Sequence, residues 1–204
     1  MPPTPRIDEK AASSALVRQA LEKATAAHAG QVRNGSGGMA YVEHPKAVAE
    51  LLAERGYGEE VLAAALLHDV VEDSETTVAE LRESFDPAVS EMVAVLSDDE
   101  SIADYRERKR EHRGRVRAAD GDALAIYGAD KLTNATTLRR ALAEQGEAVA
   151  AEFKVPLELK LEVWEADAAL LRQEAPALDF LDDLEAALSR LRAALAAAAP
   201  RPGT

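Results

Sequence analysis

The stretch 62-LAAALLHDVVEDSETT-77 constrains this chain more than any other. Its six leading apolar residues leave no polar stripe for water, so a helix over roughly 59 to 72 is buried on most sides and central to the fold. That helix ends in His68, Asp69, Glu72 and Asp73, and no lysine or arginine lies between Arg55 and Arg82 to balance them. A helix C-terminus already carries partial negative charge, and buried carboxylates are costly without a partner. The tip therefore asks for a cation.

Residues four apart share a helical face, which places His68 above Glu72 and Asp69 above Asp73. A divalent metal suits such a tip, but one imidazole and one carboxylate fill only part of a coordination shell. The chain has no cysteine, so further ligands must come from its other histidines, His28, His44 and His112, or from carboxylates. His44 reads as the N-cap of a helix 44-HPKAVAELLAERG-56, and Asp130 is an acid in a mostly apolar stretch, which makes these two the best placed. Two His and two Asp form a mixed nitrogen and oxygen set that suits Mn2+, Fe2+ or Zn2+ better than Ca2+. A structural cap remains the alternative reading of His44 taken alone.

The remaining pattern is all-α. Hydrophobic residues make up 47% of the chain, but much of that is alanine and only 4% is aromatic, which favours helices over sheets. The spacing predicts a first helix over 12–33, closed by 34-NGSGG-38. A Thr77/Glu80 capping box opens 77–85, and Pro87 starts the next helix. A turn at 120–122 precedes a helix over 123–144 with Gly128 as its weak point, and two amphipathic helices within 147–195 part near Pro176. The expectation is one compact bundle of about eight to ten helices over residues 1–195, with a disordered tail at 196–204.

A net charge of -13 argues against non-specific nucleic-acid binding. The segment 105-YRERKREHRGRVR-117 runs the other way, holding seven of the chain's 24 lysines and arginines. It reads equally as a patch that attracts a polyanion or as a helix whose charges pair internally. No apolar run approaches the length of a membrane span, so a cytoplasmic protein is expected.

The pattern H…HD…D, here His44, His68-Asp69 and Asp130, resembles the metal signature of HD-domain phosphohydrolases. The longer stretches 27-AHAGQVRNG-35, 41-YVEHPKAVAELL-52, 63-AAALLHDVVEDSETT-77 and 129-ADKLTN-134 resemble the hydrolase domain of the RelA/SpoT family, over about residues 12 to 140, and in particular its stand-alone small alarmone hydrolases. That resemblance implies an HD-domain helical bundle that removes the 3′-pyrophosphate of ppGpp or pppGpp with one Mn2+ ion, leaving GDP or GTP. It makes His44, His68, Asp69 and Asp130 the metal ligands. Glu72 and Asp73 would position and activate the attacking water, Arg33 would stack on guanine, and Asn134 and Thr137 would contact the ribose and phosphate side.

Two departures from the family stand out. Asn34 follows Arg33 where the family often has lysine, and 126-IYGAD-130 replaces a strip such as VKLAD, so Gly128 is expected to loosen its helix or make room for a different ligand. Three other functions remain open: an HD-type phosphohydrolase acting on NADPH or another nucleotide, a non-catalytic nucleotide-binding module, and a nucleic-acid-binding helical protein using 105–117. The presence of Glu72 and Asp73 speaks against the second.

Overall fold

A computed structural model describes residues 7–119 and 121–198. The helices in chain order are α1 (Ile7–Ser13), α2 (Ala15–Ala27), α3 (Glu43–Ala53), α4 (Glu59–Leu67), α5 (Val70–Asp73), α6 (Val78–Ser84) and α7 (Pro87–Leu96). They continue with α8 (Tyr105–Arg117), α9 (Gly121–Gln145), α10 (Leu157–Glu174) and α11 (Leu181–Ala198), and a 3-10 segment, Gly146–Glu152, joins α9 to α10. Among the described residues the only β feature is an isolated bridge between Val32 and Ala40. The fold is all-α, as the composition predicts.

Helix α4 is the centre of the bundle. Every residue from Val61 to Leu67 is buried, and α2, α3, α7 and α9 pack around it. A fully buried Val or Leu side chain contributes about 1.5–3 kcal/mol, so this one helix anchors much of the core. It stops at Leu67. His68 and Asp69 form a break, and α5 adds a single further turn that carries Glu72 and Asp73.

The helix expected over 12–33 is two shorter ones. Ser14 separates them and caps α2 by accepting from the Val17 N–H. Helix α2 then ends at Ala27, and Gly30 takes a φ of 76°, a left-handed conformation that an L side chain resists. The loop that follows brings Arg33 and Tyr41 toward α5. Helix α3 begins at Glu43, so His44 is not its N-cap; Val42 holds that position, and His44 and Pro45 lie buried in the first turn. The Thr77/Glu80 capping box forms as expected, and Pro87 opens α7.

The turn expected at 120–122 falls partly on Asp120, outside the described residues, while Gly121 and Asp122 already belong to α9. That helix is continuous through Gly128. A Cβ at Gly128 would stand 2.9 Å from the ring of Phe180 and 3.2 Å from Leu171, and Phe180 is fully buried. The glycine therefore neither loosens α9 nor opens room for a ligand; it lets the C-terminal helices press against it. Helix α11 lies along α9 and reaches Ala198, so 196–198 of the expected tail are helical, and 199–204 lie outside the described residues. No helix among the described residues is long and apolar enough to cross a membrane.

Candidate metal centre and cleft

Helix α3, the α4–α5 break and α9 bring four side chains to one point. His44 Nε2 lies 3.0 Å from Asp130 Oδ1 and 3.5 Å from Asp69 Oδ2, while His68 Nε2 lies 3.1 Å from Asp69 Oδ1 and 3.7 Å from Asp130 Oδ1. One ligand atom from each of His44, His68 and Asp130 falls within 4.8 Å of the others, and Asp69 reaches both histidines from the side. Both Nε2 atoms are buried without a well-aligned hydrogen-bond partner. Since a carbonyl can only accept, the 2.7 Å contact between His68 Nδ1 and the Ala65 carbonyl puts the proton on Nδ1 and frees the Nε2 lone pair.

Two imidazoles and two carboxylates share this point, with Arg33 and Lys131 beside the carboxylates. Burial, then Arg33, lowers His44 to a pKa of about 4. Burial pulls His68 down as well, but Asp69 and Asp130 outweigh it and raise that group to about 9. Burial disfavours a charged Asp69, yet His68, His44 and Arg33 hold it at about 2. Asp130 is likewise held well below the usual carboxylate range, against burial, by Lys131 and the two histidines. In the protein alone Arg33, Lys131 and a protonated His68 compensate the two carboxylates, and a divalent metal can take the place of the His68 proton. Buried nitrogen and carboxylate donors of this kind fit a divalent metal.

The two acids of α5 are held by separate partners. The Tyr41 hydroxyl donates within the Asp69/Asp73 pair, lying 2.5 Å from Asp73 Oδ2 and 3.0 Å from Asp69 Oδ2. The Tyr41 ring is held in turn: His28 stacks on it at 4.4 Å, and the Arg33 guanidinium lies over it at 4.9 Å. Glu72 turns toward the other wall, where its Oε1 accepts from the Asp98 N–H at 2.7 Å. Burial, with Asp98 and Asp69 nearby, pushes Glu72 up to about 7 despite Lys109 and that hydrogen bond. Burial and Asp69 also raise Asp73.

The positions expected to bind substrate lie beside these acids. Arg33 donates to Asn134 Oδ1 at 2.5 Å and approaches Asp69 at 3.5 Å, and Asn134 Nδ2 donates to Asp130 Oδ1 at 2.6 Å. Thr137 lines the same cleft one turn further along α9. The cleft has a volume of about 640 Å3, and every expected site residue lines it except His44, which is buried behind it. Asn34 is at its rim and exposed.

Several residues here carry no mark in the sequence. Tyr41 stands three positions before the HP pair in 41-YVEHP-45, and nothing in that spacing announces a bridge to α5. Asp98 supports Glu72 and is itself gripped by Lys109 at 2.5 Å, Arg108 at 3.2 Å and His112 at 2.9 Å. His28 and His112 are thus structural partners outside the metal cluster. The basic segment has become α8, and each of its seven cations meets a carboxylate: Arg106 with Glu162, Arg108 and Lys109 with Asp98, Arg110 with Glu107, Arg113 with Asp167, Arg115 with Glu111, and Arg117 with Glu174. Its charge is neutralised within the fold rather than offered as an open patch.

Known proteins match this arrangement. Residues 20–155 match the HD domain family. The guanosine-3′,5′-bis(diphosphate) 3′-pyrophosphohydrolase MESH1 of Danio rerio is 34% identical over 134 residues, covering 65% of this chain and 74% of the relative. The bifunctional (p)ppGpp synthase/hydrolase SpoT of Escherichia coli K12 is 39% identical over 127 residues, or 60% of this chain, but the match spans only 18% of SpoT's own length. A solved structure of a metazoan ortholog of SpoT, described as hydrolysing ppGpp, superposes with a TM-score of 0.60 at 27% identity and covers 91% of this chain and 94% of that one. With two thirds of its length matched, and with the H…HD…D residues assembled at one point, this chain belongs to the HD-domain family.

Proposed function

We propose that this protein is a metal-dependent (p)ppGpp 3′-pyrophosphohydrolase. The observation that carries the reading is the placement of Glu72 and Asp73. The two acids stand beside the His44/His68/Asp69/Asp130 cluster, held from opposite walls, in a cleft whose volume of about 640 Å3 suits one nucleotide. The names of the MESH1 and SpoT relatives support the same substrate.

In this reading His44, His68, Asp69 and Asp130 hold one Mn2+ ion. The metal, when bound, supplies Lewis acidity, offsetting charge on the scissile phosphate and easing loss of a proton from water. Glu72, with a pKa near neutrality, is suited to take the proton of the attacking water. Asp73, fixed by the Tyr41 hydroxyl, orients that water. Attack on the phosphorus next to the ribose breaks its bond to the 3′-oxygen and releases pyrophosphate, leaving GDP or GTP. Arg33, steadied by Asn134 and Tyr41, offers a flat cation for the guanine to stack on, and Asn134 and Thr137 face the ribose and phosphate side.

The test is to incubate the purified protein with ppGpp, pppGpp and NADPH, with Mn2+ or with chelator, measuring pyrophosphate and orthophosphate separately. Pyrophosphate release from ppGpp that needs metal, and that falls at least about 100-fold in Glu72→Gln, is the expected result. Orthophosphate from NADPH without pyrophosphate from ppGpp would move the protein to a different substrate.

A further inference from the structure

Lys160, on α10, stands in the cleft wall without a carboxylate partner among the described residues. The other cations buried or half-buried in that wall are each tied: Arg33 approaches Asp69, Arg108 and Lys109 hold Asp98, and Lys131 holds Asp130 at 2.8 Å. Lys154, the remaining lining cation, is exposed to water and needs no partner. Lys160 is instead enclosed by aromatic rings, with its ammonium 5.1 Å from the centroid of Phe153 and 5.7 Å from those of Tyr105 and Trp164. Ring faces attract a cation but accept no hydrogen bond of ordinary strength, so its donors are left for something in the cleft.

We propose that Lys160 anchors the 5′-phosphates of the nucleotide, at a point remote from the bond that is cut. This rests on the proposed activity, which puts the 3′-pyrophosphate at the metal cluster and the base at Arg33. A guanosine tetraphosphate then has one further charged group to place, the 5′-diphosphate. Lys160 is bonded to none of the metal-binding side chains, which come from α3, the α4–α5 break and α9, whereas its own enclosure comes from α8 and α10 and from Phe153 between α9 and α10. Three cations, Lys109, Lys131 and Arg33, lie near enough to act on it, with Asp130 opposing them. Burial, then these cations, depresses Lys160 to about 8, and a bound phosphate dianion would favour its charged form.

Binding in chelator, without turnover, tests this directly. GDP and guanosine are titrated calorimetrically into wild type, Lys160→Met, Lys160→Gln and Lys160→Arg, with thermal melts confirming that each variant is folded. Wild type should bind GDP at least about tenfold more tightly than guanosine, the size expected of one charge-assisted hydrogen bond. The two neutral variants should lose that preference, and the arginine variant should keep it. With Mn2+, Lys160→Met should raise KM for ppGpp about tenfold with little change in kcat, and should not affect guanosine 3′-diphosphate, which lacks 5′-phosphates. Equal binding of GDP and guanosine by wild type, or a preference that survives in either folded neutral variant, overturns the assignment. Failure of wild type to release pyrophosphate sinks the proposed activity alone, because the chelator titration needs neither metal nor hydrolysis.

Discussion

The Nδ1–H of His68 donates to the Ala65 carbonyl at 2.7 Å, which fixes the imidazole with its Nε2 lone pair toward Asp69 and Asp130. A nitrogen preset in this way can exchange the proton it otherwise holds for a metal. Adding Mn2+ should therefore raise the melting temperature of wild type, by an amount equivalent to about 2.7 kcal/mol at a hundredfold excess over Kd. His68→Ala and Asp130→Ala should show little or no metal-dependent shift. A shift of wild-type size in Asp130→Ala would remove Asp130 from the ligand set.

Glu72 should leave a signature in stability as well as in rate. Its folded pKa of about 7 lies above the ordinary 4.5, so between these values the folded protein retains a proton that the unfolded chain has released. Stability from this group is then lost as pH rises through that window. Glutamine cannot ionise, so in chelator the melting temperature of Glu72→Gln relative to wild type should climb from pH 5 to pH 7 and level off above. A difference that stays flat with pH would mean that Glu72 is not held in a medium hostile to its charge. With the carboxylate acting as base, wild-type kcat should rise with pH through about 7.

Tyr41→Phe keeps the ring that His28 and Arg33 rest on and removes only the hydroxyl shared by Asp69 and Asp73. We expect a stability loss of about 1–2 kcal/mol and a fall in kcat of about tenfold, with KM for ppGpp little changed. Denaturant melts and steady-state kinetics on the same preparation separate the two effects. Unchanged kcat would mean that Asp73 needs no fixing.

Gly128→Ala sets two effects against each other. Alanine gains about 1 kcal/mol of helix propensity, but forcing a methyl group into the 2.9 Å gap to Phe180 costs about 1–3 kcal/mol. The variant should be less stable than wild type by about 1 kcal/mol. Phe180→Leu, harmful alone, should be less harmful in the Gly128→Ala background, and a double-mutant cycle by denaturant unfolding reads that coupling.

What could be read in the sequence was what local pattern controls. The apolar run up to Leu67 had to be buried, and Thr77 with Glu80 had to cap a helix, because each depends on neighbours along the chain. His44, His68, Asp69 and Asp130 were legible as a set through the motif, and they do converge. Helix ends were less legible: a periodic apolar pattern continues past Ala27, and only Gly30, with its left-handed φ, marks why the chain turns before Arg33. Tyr41, Asp98 and Lys160 were invisible, since what gives each its role includes a distant partner: Asp73 for Tyr41, Glu72 for Asp98 and Tyr105 for Lys160. Gly128 was noticed for the wrong reason, because its neighbour Phe180 is 52 residues further on.

The pile formed by His28, Tyr41 and Arg33 bears on how selective this cleft is. A guest that extends the pile meets a guanidinium plane, and such a plane distinguishes flat from bulky far better than one purine from another. On the proposed activity, discrimination among nucleotides would then come from how far apart their phosphates are, measured between the His44/His68/Asp69/Asp130 cluster and the wall that holds Lys160. On that proposal the cleft would act less as a reader of bases than as a ruler for charge.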